Sequence, residues 1–280
     1  AISPAANDGM GATMINRRQL IIQSLGAGSL VAGCASGGGG RSAPRVVVVG
    51  GGYAGATAAK YVRMWSGGAI DVTLVDPSAR FVSCPLSNLV IGGSKTMEDI
   101  TLSYDQLSRR HGVRVIQGTV VRIEADGRHV VLADGSRLPY DRLIVAPGVD
   151  FMWDTLPGMA RPGASDAVLH AWKAGAQTVA LRRQLEDMPD GGVYALAIPL
   201  APYRCPPGPY ERACQVAHYF SRFKPRSKVL VLDANDDVTS KGPLFKKAWK
   251  DRYDGILEYR PRHRTVDVDP RTLTVAGLSR

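Results

Sequence analysis

The chain has 280 residues, 45% of them hydrophobic, so it is long enough for two domains with real cores and is not a disordered protein. Its four cysteines are too few for a scaffold held together by disulfides. The formal net charge of +10 favours an acidic partner, a nucleic acid or an anionic surface, without choosing among the three.

Residues 1–36 have the layout of an export signal. Arg17 and Arg18 precede a short apolar run and small residues, and the arginine pair indicates the twin-arginine route to the periplasm. The run is too short to span a bilayer. The segment VAGC resembles a lipoprotein cleavage box, so Cys34 is either lipidated, anchoring the protein, or discarded with the leader. Residues 37–44 form a flexible linker.

A dinucleotide-binding unit follows directly. Four consecutive valines predict a strand buried on both faces, and Gly50, Gly52 and Gly55 after it fit the pattern G-x-G-x-x-G. A helix from 54 to about 64 would place its amino end at a pyrophosphate. A second strand ends in Asp76, where a carboxylate accepts hydrogen bonds from a ribose.

Residues 113–148 alternate apolar and polar side chains with two Asp-Gly turns, which predicts a β-meander followed by a returning strand, RLIVAPG. This order resembles the flavoproteins with two dinucleotide-binding domains, the disulfide reductase-like group. The resemblance implies an FAD-binding domain over 45–160, with Val121, Ala146 and Gly148 contacting the cofactor. An ordinary antiparallel insertion is the alternative.

A second Rossmann-like unit is predicted over 161–280, with a strand GGVYALAIP, a helix YERACQVAHYFSRF and a strand that ends in Asp233. The turn after its first strand, PLAPYRCPPGPYE, contains five prolines and one glycine instead of a glycine triplet. Because proline has no backbone N–H, this turn cannot easily offer amides to a pyrophosphate. The nicotinamide site is therefore predicted to be lost. The fold class is α/β, with two Rossmann-like domains and a β-meander insertion.

The segments SCPLSNLVIGG, HAWKAGAQTVALRRQLEDMPDGG and APYRCPPGPYERA resemble the flavoprotein subunit of flavocytochrome c sulfide dehydrogenase. The resemblance implies that Cys84 carries FAD covalently through the 8-methyl carbon; a plain buried thiol is the other interpretation. It also implies that Cys205 is half of a redox-active disulfide attacked by sulfide. Electrons would pass to FAD and then to a c-type cytochrome subunit.

Three further expectations come from the same comparison. Glu211 either moves a proton near this site or is a carboxylate favoured at a helix amino end. Cys214 is expected in the helix core. The family's second redox cysteine and late glycine–aspartate motif are absent from the 280 residues, so the chain is interpreted as an incomplete copy without the C-terminal interface domain.

Three alternatives stay open. A sulfide:quinone oxidoreductase is the nearest enzyme alternative. A flavin-carrying remnant without turnover, either free or lipid-anchored, is the non-enzyme alternative. The basic segment 246–264 contains three aromatic residues and is either a nucleic-acid surface or a solvated face. The histidines show no metal-ligand spacing, and no metal is predicted.

Overall fold

A computed structural model describes residues 42–279. The export signal, Cys34 and most of the linker lie outside the described residues. The strands are β1 Arg45–Val49, β2 Asp71–Asp76, β3 Arg80–Val82, β4 Thr101–Ser103, β5 Arg114–Gln117, β6 Val120–Glu124, β7 His129–Leu132, β8 Arg137–Pro139, β9 Arg142–Val145, β10 Val193–Ile198, β11 Lys228–Asp233, β12 Leu257–Arg260, β13 His263–Asp269 and β14 Thr274–Ser279. The helices are α1 Tyr53–Trp65, α2 Ser87–Ile91, α3 Asp105–His111, α4 Ala164–Ala167, α5 Ala176–Asp187, α6 Gly208–Phe223 and α7 Gly242–Arg252, and short 3-10 helices span Glu98–Ile100, Trp153–Thr155 and Pro157–Ala160.

The first sheet is parallel and has the strand order β5-β2-β1-β9. Its central strand β1 is buried on both faces, as the run of valines predicts. Val46 and Val48 pack with Ala59 of α1, whereas Val47 packs with Val130 of the meander. Alternate side chains of a strand point to opposite faces, so a strand covered on both sides needs apolar residues at every position.

The meander forms an antiparallel sheet of β6, β7 and β8, and the chain then returns as β9 beside β1. Buried Val130 and Leu132 of β7 attach this sheet to the first one. The predicted β-meander and the returning strand are both confirmed.

The second sheet is also parallel, with the order β10-β11-β12, and α6 supplies much of its core. The helix begins at Gly208, two residues before the expected start, with Pro209 in its first turn. Proline is tolerated there because the first N–H groups of a helix have no partner within the helix. The α/β fold with two Rossmann-like units is thereby confirmed.

The antiparallel hairpin of β13 and β14 packs against the 3-10 helix Pro157–Ala160. The Gly158 N–H donates to the Asp267 carboxylate at 2.6 Å. Within residues 42–279, no helix is long and apolar enough to cross a membrane.

Candidate functional site

The loop between β1 and α1 has the shape of a phosphate-binding turn. Gly50 has φ +99°, and a Cβ there would lie 2.1 Å from the Ala146 carbonyl oxygen. A Cβ on Gly55 would lie 1.8 Å from the Gly50 oxygen, whereas one on Gly52 meets nothing within 4 Å. The first and third glycines are therefore required for packing, and the second faces open space in which a ligand can approach the backbone.

Helix α1 starts at this loop without a side-chain cap and without an acidic residue in its first turn. Its first amides are therefore available for an anion, which the helix dipole also favours. At the end of β2, half-buried Asp76 accepts the Gly51 N–H at 2.6 Å and the Ser78 N–H at 2.8 Å. The carboxylate thus lies against the glycine loop, as a ribose-binding acid does, and these residues fit a dinucleotide.

Tyr104, which no sequence pattern indicated, contacts the same glycine loop. Its hydroxyl donates to the Gly51 oxygen at 3.1 Å, and burial, together with the charge of Asp76, raises its pKa to about 12. A Cβ on Gly51 would lie 2.3 Å from the Tyr104 hydroxyl, which explains why the middle residue of Gly50–Gly52 is also glycine. The three consecutive glycines in the sequence indicated a crowded loop, but nothing in that pattern pointed to Tyr104 as the residue that contacts it.

Cys84 lies in the turn that precedes α2. Its neighbour Ser83 shares a 2.6 Å hydrogen bond with the hydroxyl of Tyr53, the first residue of α1, so the cysteine segment is attached to the phosphate loop. The half-buried Cys84 thiol donates to the Trp172 carbonyl at 3.0 Å. Its sulfur is therefore positioned by the segment just before α5.

Cys205 lies on the proline-rich turn that leads into α6. It is exposed and has φ +57°, a left-handed conformation that residues other than glycine rarely adopt. The Gly208 N–H donates to the Cys205 carbonyl at 2.9 Å, and the Gly208 carbonyl accepts from the buried Asn88 amide at 3.2 Å. Because Asn88 follows Cys84 by four residues, the two cysteine segments contact each other.

Arg212, also missed at the sequence level, is 4% exposed although it is charged. Its Nη2 donates to the Ala171 carbonyl at 3.0 Å, and its guanidinium lies 5.7 Å from the centre of the Trp172 ring. Its Nε is buried without a hydrogen-bond partner in the described part of the chain. Burial lowers the pKa of Arg212, opposed by Tyr194, by Cys84 and Cys205, and by Glu211.

The other two candidates on α6 differ in their surroundings. Glu211 is exposed in the first turn of the helix, where the helix dipole favours a carboxylate and where solvent can exchange protons with it. Cys214 packs against the core, accepts the Trp249 indole N–H at 3.3 Å, and has its pKa raised by burial. Cys214 therefore has the position expected of a structural residue.

The three residues of the meander and the returning strand that were predicted to contact the cofactor do not lie together. Ala146 pairs with Val49 at the end of β1, and its oxygen faces Gly50, so it belongs to the phosphate loop. Gly148, with φ +80°, lies two residues further on. Val121 is on the meander, at an irregularity in the pairing of β6 with β7, and is 61% exposed.

The second Rossmann-like unit has its acid, Asp233, at the corresponding end of β11, but this carboxylate is fully buried. It accepts the Tyr210 hydroxyl at 2.7 Å, the Tyr259 hydroxyl at 3.0 Å and the Asn235 side-chain amide at 2.7 Å. Tyr210 comes from the turn that replaces the glycine triplet. The acid is therefore occupied within the protein and offers nothing to a ribose.

The family model described as "Pyridine nucleotide-disulphide oxidoreductase" matches residues 44–190, more than half of the chain. The chain belongs to this family. A second model, "Sulfide dehydrogenase (flavocytochrome c) flavoprotein chain, central", matches residues 178–279. The family name refers to a pyridine nucleotide, yet in this member the corresponding acid is sealed by Tyr210.

Two curated relatives act on sulfide according to their names. The sulfide dehydrogenase (flavocytochrome c) flavoprotein chain of Chlorobaculum thiosulfatiphilum is 59% identical over 46 residues, which are 16% of this chain and 94% of that protein. The mitochondrial sulfide:quinone oxidoreductase of Dictyostelium discoideum is 23% identical over 229 residues, 81% of this chain and 48% of that protein. The chain thus spans about half the length of this longer relative.

Among solved structures, the sulfide:quinone oxidoreductase of Aquifex aeolicus matches with a TM-score of 0.69 and 16% identity. The match covers 84% of this chain and 56% of that one. At this identity the likeness concerns the fold, and it extends through both Rossmann-like units.

Proposed function

We propose that the chain is the FAD-carrying part of an enzyme that oxidises sulfide and passes the electrons to a c-type cytochrome subunit. One observation supports the proposal most directly. The segments that contain Cys84 and Cys205 contact each other, and the Cys84 segment is also attached to the glycine loop, whose residues fit a dinucleotide. The name of the relative from Chlorobaculum supports the same activity. The filled second site, around Tyr210 and Asp233, argues against a nicotinamide as the electron source.

The residues that would hold FAD are those of the first unit. The amides at the start of α1 would bind the pyrophosphate, and Asp76 would bind the ribose. Cys84 would form the covalent bond, because its thiol is half-buried and already oriented by the Trp172 carbonyl. When bound, a flavin supplies the capacity to take up an electron pair and to release electrons singly.

Cys205 supplies the sulfur that hydrosulfide would attack. The residue is exposed and lies at the tip of a turn, so a small nucleophile can reach it. In this proposal it is one half of a redox-active disulfide, whose second half is not among the described residues. Glu211, six residues further on, is the group we assign to proton movement at this end of the site.

The proposal is tested by replacing Cys205 with serine in the flavin-loaded protein as cells produce it. Sulfide is added without oxygen, and the flavin absorbance is followed by stopped flow. We expect an unchanged flavin spectrum, because the glycine loop is intact, and a loss of reduction rate by orders of magnitude, because serine cannot form a bond to sulfur. Cys214→Ser is the control and should reduce at the normal rate. Equal rates for Cys205→Ser and the unmodified protein would refute the disulfide relay.

A quinone is the second candidate acceptor, since the longer relative and the solved structure are both sulfide:quinone oxidoreductases. The two acceptors are separated by measuring sulfide-dependent reduction of cytochrome c and of a soluble quinone side by side. Cytochrome reduction as the faster reaction supports our proposal. We also propose export to the periplasm, on the evidence of Arg17 and Arg18, where c-type cytochromes would be accessible.

A further inference from the structure

The buried guanidinium of Arg212 lies in the wall of an open cavity of about 910 Å³ beside β10. Within the described residues it forms no ion pair with a carboxylate, and its Nε has no hydrogen-bond partner. A buried arginine is normally paired, because removing its charge from water is costly. This cation is held in place by one carbonyl and one aromatic ring and has an unused donor.

The surroundings of Arg212 contain the two functional cysteines. The Ala171 carbonyl binds Arg212, and the next carbonyl along the chain, that of Trp172, binds the Cys84 thiol. The guanidinium and the Cys84 sulfur are therefore attached to consecutive peptide groups. Cys205 belongs to the turn that the Gly208 N–H closes, and Gly208 precedes Arg212 by one helical turn of α6.

The ligand that suits this arrangement is a small anion. A guanidinium offers charge and directed N–H donors together, which makes it the preferred partner of anions in protein interiors. Glu211, on the same turn of α6, is exposed and makes no ion pair with Arg212 within residues 42–279.

We propose that Arg212 is the site that draws the hydrosulfide anion to Cys205 and holds it there for attack. The inference deepens the function proposed above and rests on it for the identity of the anion. Arg212 acts as a positioning residue: it forms no covalent bond, and its fixed charge raises the local concentration of hydrosulfide next to the disulfide sulfur of Cys205. Attack forms a bond between the hydrosulfide sulfur and Cys205 Sγ and breaks the S–S bond of the disulfide, whose other cysteine leaves as the thiolate.

The test uses the charge of a thiol reagent rather than turnover. Iodoacetate and iodoacetamide both alkylate the thiolate, but the first is an anion and the second is neutral. The protein as cells produce it is first reduced, so that Cys205 is a thiol. The ratio of the two alkylation rates at Cys205, measured by mass spectrometry, therefore cancels the thiolate fraction and the accessibility of the residue. We expect the ratio at Cys205 to exceed that at glutathione. Arg212→Met should lower the Cys205 ratio by roughly three- to tenfold, as expected for loss of one nearby charge in a partly screened site.

The control is Arg182→Met. Arg182 also donates to a carbonyl, that of Ile91 at 3.1 Å, and lies 4.5 Å from the Tyr219 ring, but it is paired with Glu186. This variant should leave the ratio at Cys205 unchanged. Glu211→Gln removes the nearby negative charge and should raise the ratio of the iodoacetate rate to the iodoacetamide rate at Cys205. Arg212→Lys keeps the charge, so its ratio should stay above that of Arg212→Met even if the buried site tolerates lysine poorly.

An unchanged ratio in folded Arg212→Met, or an equal fall in Arg182→Met, would overturn the proposal. The experiment needs neither flavin nor sulfide, so its failure is distinct from a failure of the proposed function. If sulfide oxidation depends on Cys205 but the alkylation ratio does not change in Arg212→Met, the anion site is refuted and the proposed function stands. A charge-dependent ratio in a protein that does not oxidise sulfide would leave an anion site with another ligand.

Discussion

Replacing Tyr210 with phenylalanine removes one hydroxyl from the centre of the filled second site. The Tyr210 side chain is fully buried; its hydroxyl donates to Asp233 at 2.7 Å and accepts the Thr239 N–H at 3.1 Å. The substitution leaves the ring in place, so the core packing is kept. Asp233 retains hydrogen bonds from Tyr259 and Asn235, whereas the Thr239 amide loses this acceptor.

The expected cost follows from these two bonds. A hydrogen bond to a charged acceptor contributes about 1.5–3 kcal/mol, and a partly buried amide that loses its acceptor adds about 1 kcal/mol. The sum is about 2.5–4 kcal/mol of unfolding free energy. Since 1 kcal/mol shifts the midpoint of a domain of 150–250 residues by about 2–4 °C, the melting temperature should fall by roughly 5–16 °C.

Thermal unfolding followed by circular dichroism measures this shift. Tyr219→Phe is the matched control, because Tyr219 is also buried on α6 and its hydroxyl has no hydrogen bond within the described residues. Its midpoint should move by no more than about 2 °C. If Tyr210→Phe and Tyr219→Phe melt together, the hydrogen-bonded network around Asp233 does not stabilise the fold, and the reasoning about the sealed site is wrong.

Three other outcomes are expected. After acid precipitation, flavin should remain on the peptide that contains Cys84. The Cys84→Ala variant should still bind some FAD through the glycine loop when native, but should release all of it on acid precipitation. Flavin found only in the supernatant of the unmodified protein would contradict the covalent bond. Neither NADH nor NADPH at sub-millimolar concentration should bleach the flavin, because Asp233 is already bound by Tyr210, Tyr259 and Asn235 and the proline-rich turn before α6 has few amides to offer a pyrophosphate; rapid bleaching by either would contradict this. Changing Arg17 and Arg18 to lysine should abolish periplasmic accumulation of the full-length gene product, measured by cell fractionation, and unchanged export would exclude the twin-arginine route.

The sequence alone determined the features that depend on local patterns. Four valines in succession require a strand covered on both faces, and the structure covers them with α1 on one side and the meander on the other. The spacing of Gly50, Gly52 and Gly55 indicated the phosphate loop, and Gly55 meets a local steric demand, the Gly50 oxygen five residues before it. The prolines before α6 likewise indicated a turn with few amides to offer a pyrophosphate.

Only the tertiary structure decided which distant side chains complete the two sites. Tyr104 shapes the glycine loop from 53 residues away, and Tyr210 seals Asp233 across the second sheet. Arg212 reads in the sequence as one more surface charge on an amphipathic helix. It became a candidate anion site because the fold buries it and places two adjacent carbonyls where one holds its guanidinium and the other the Cys84 thiol. Burial and long-range hydrogen bonding are set by how the elements pack, and no local pattern of residues encodes them.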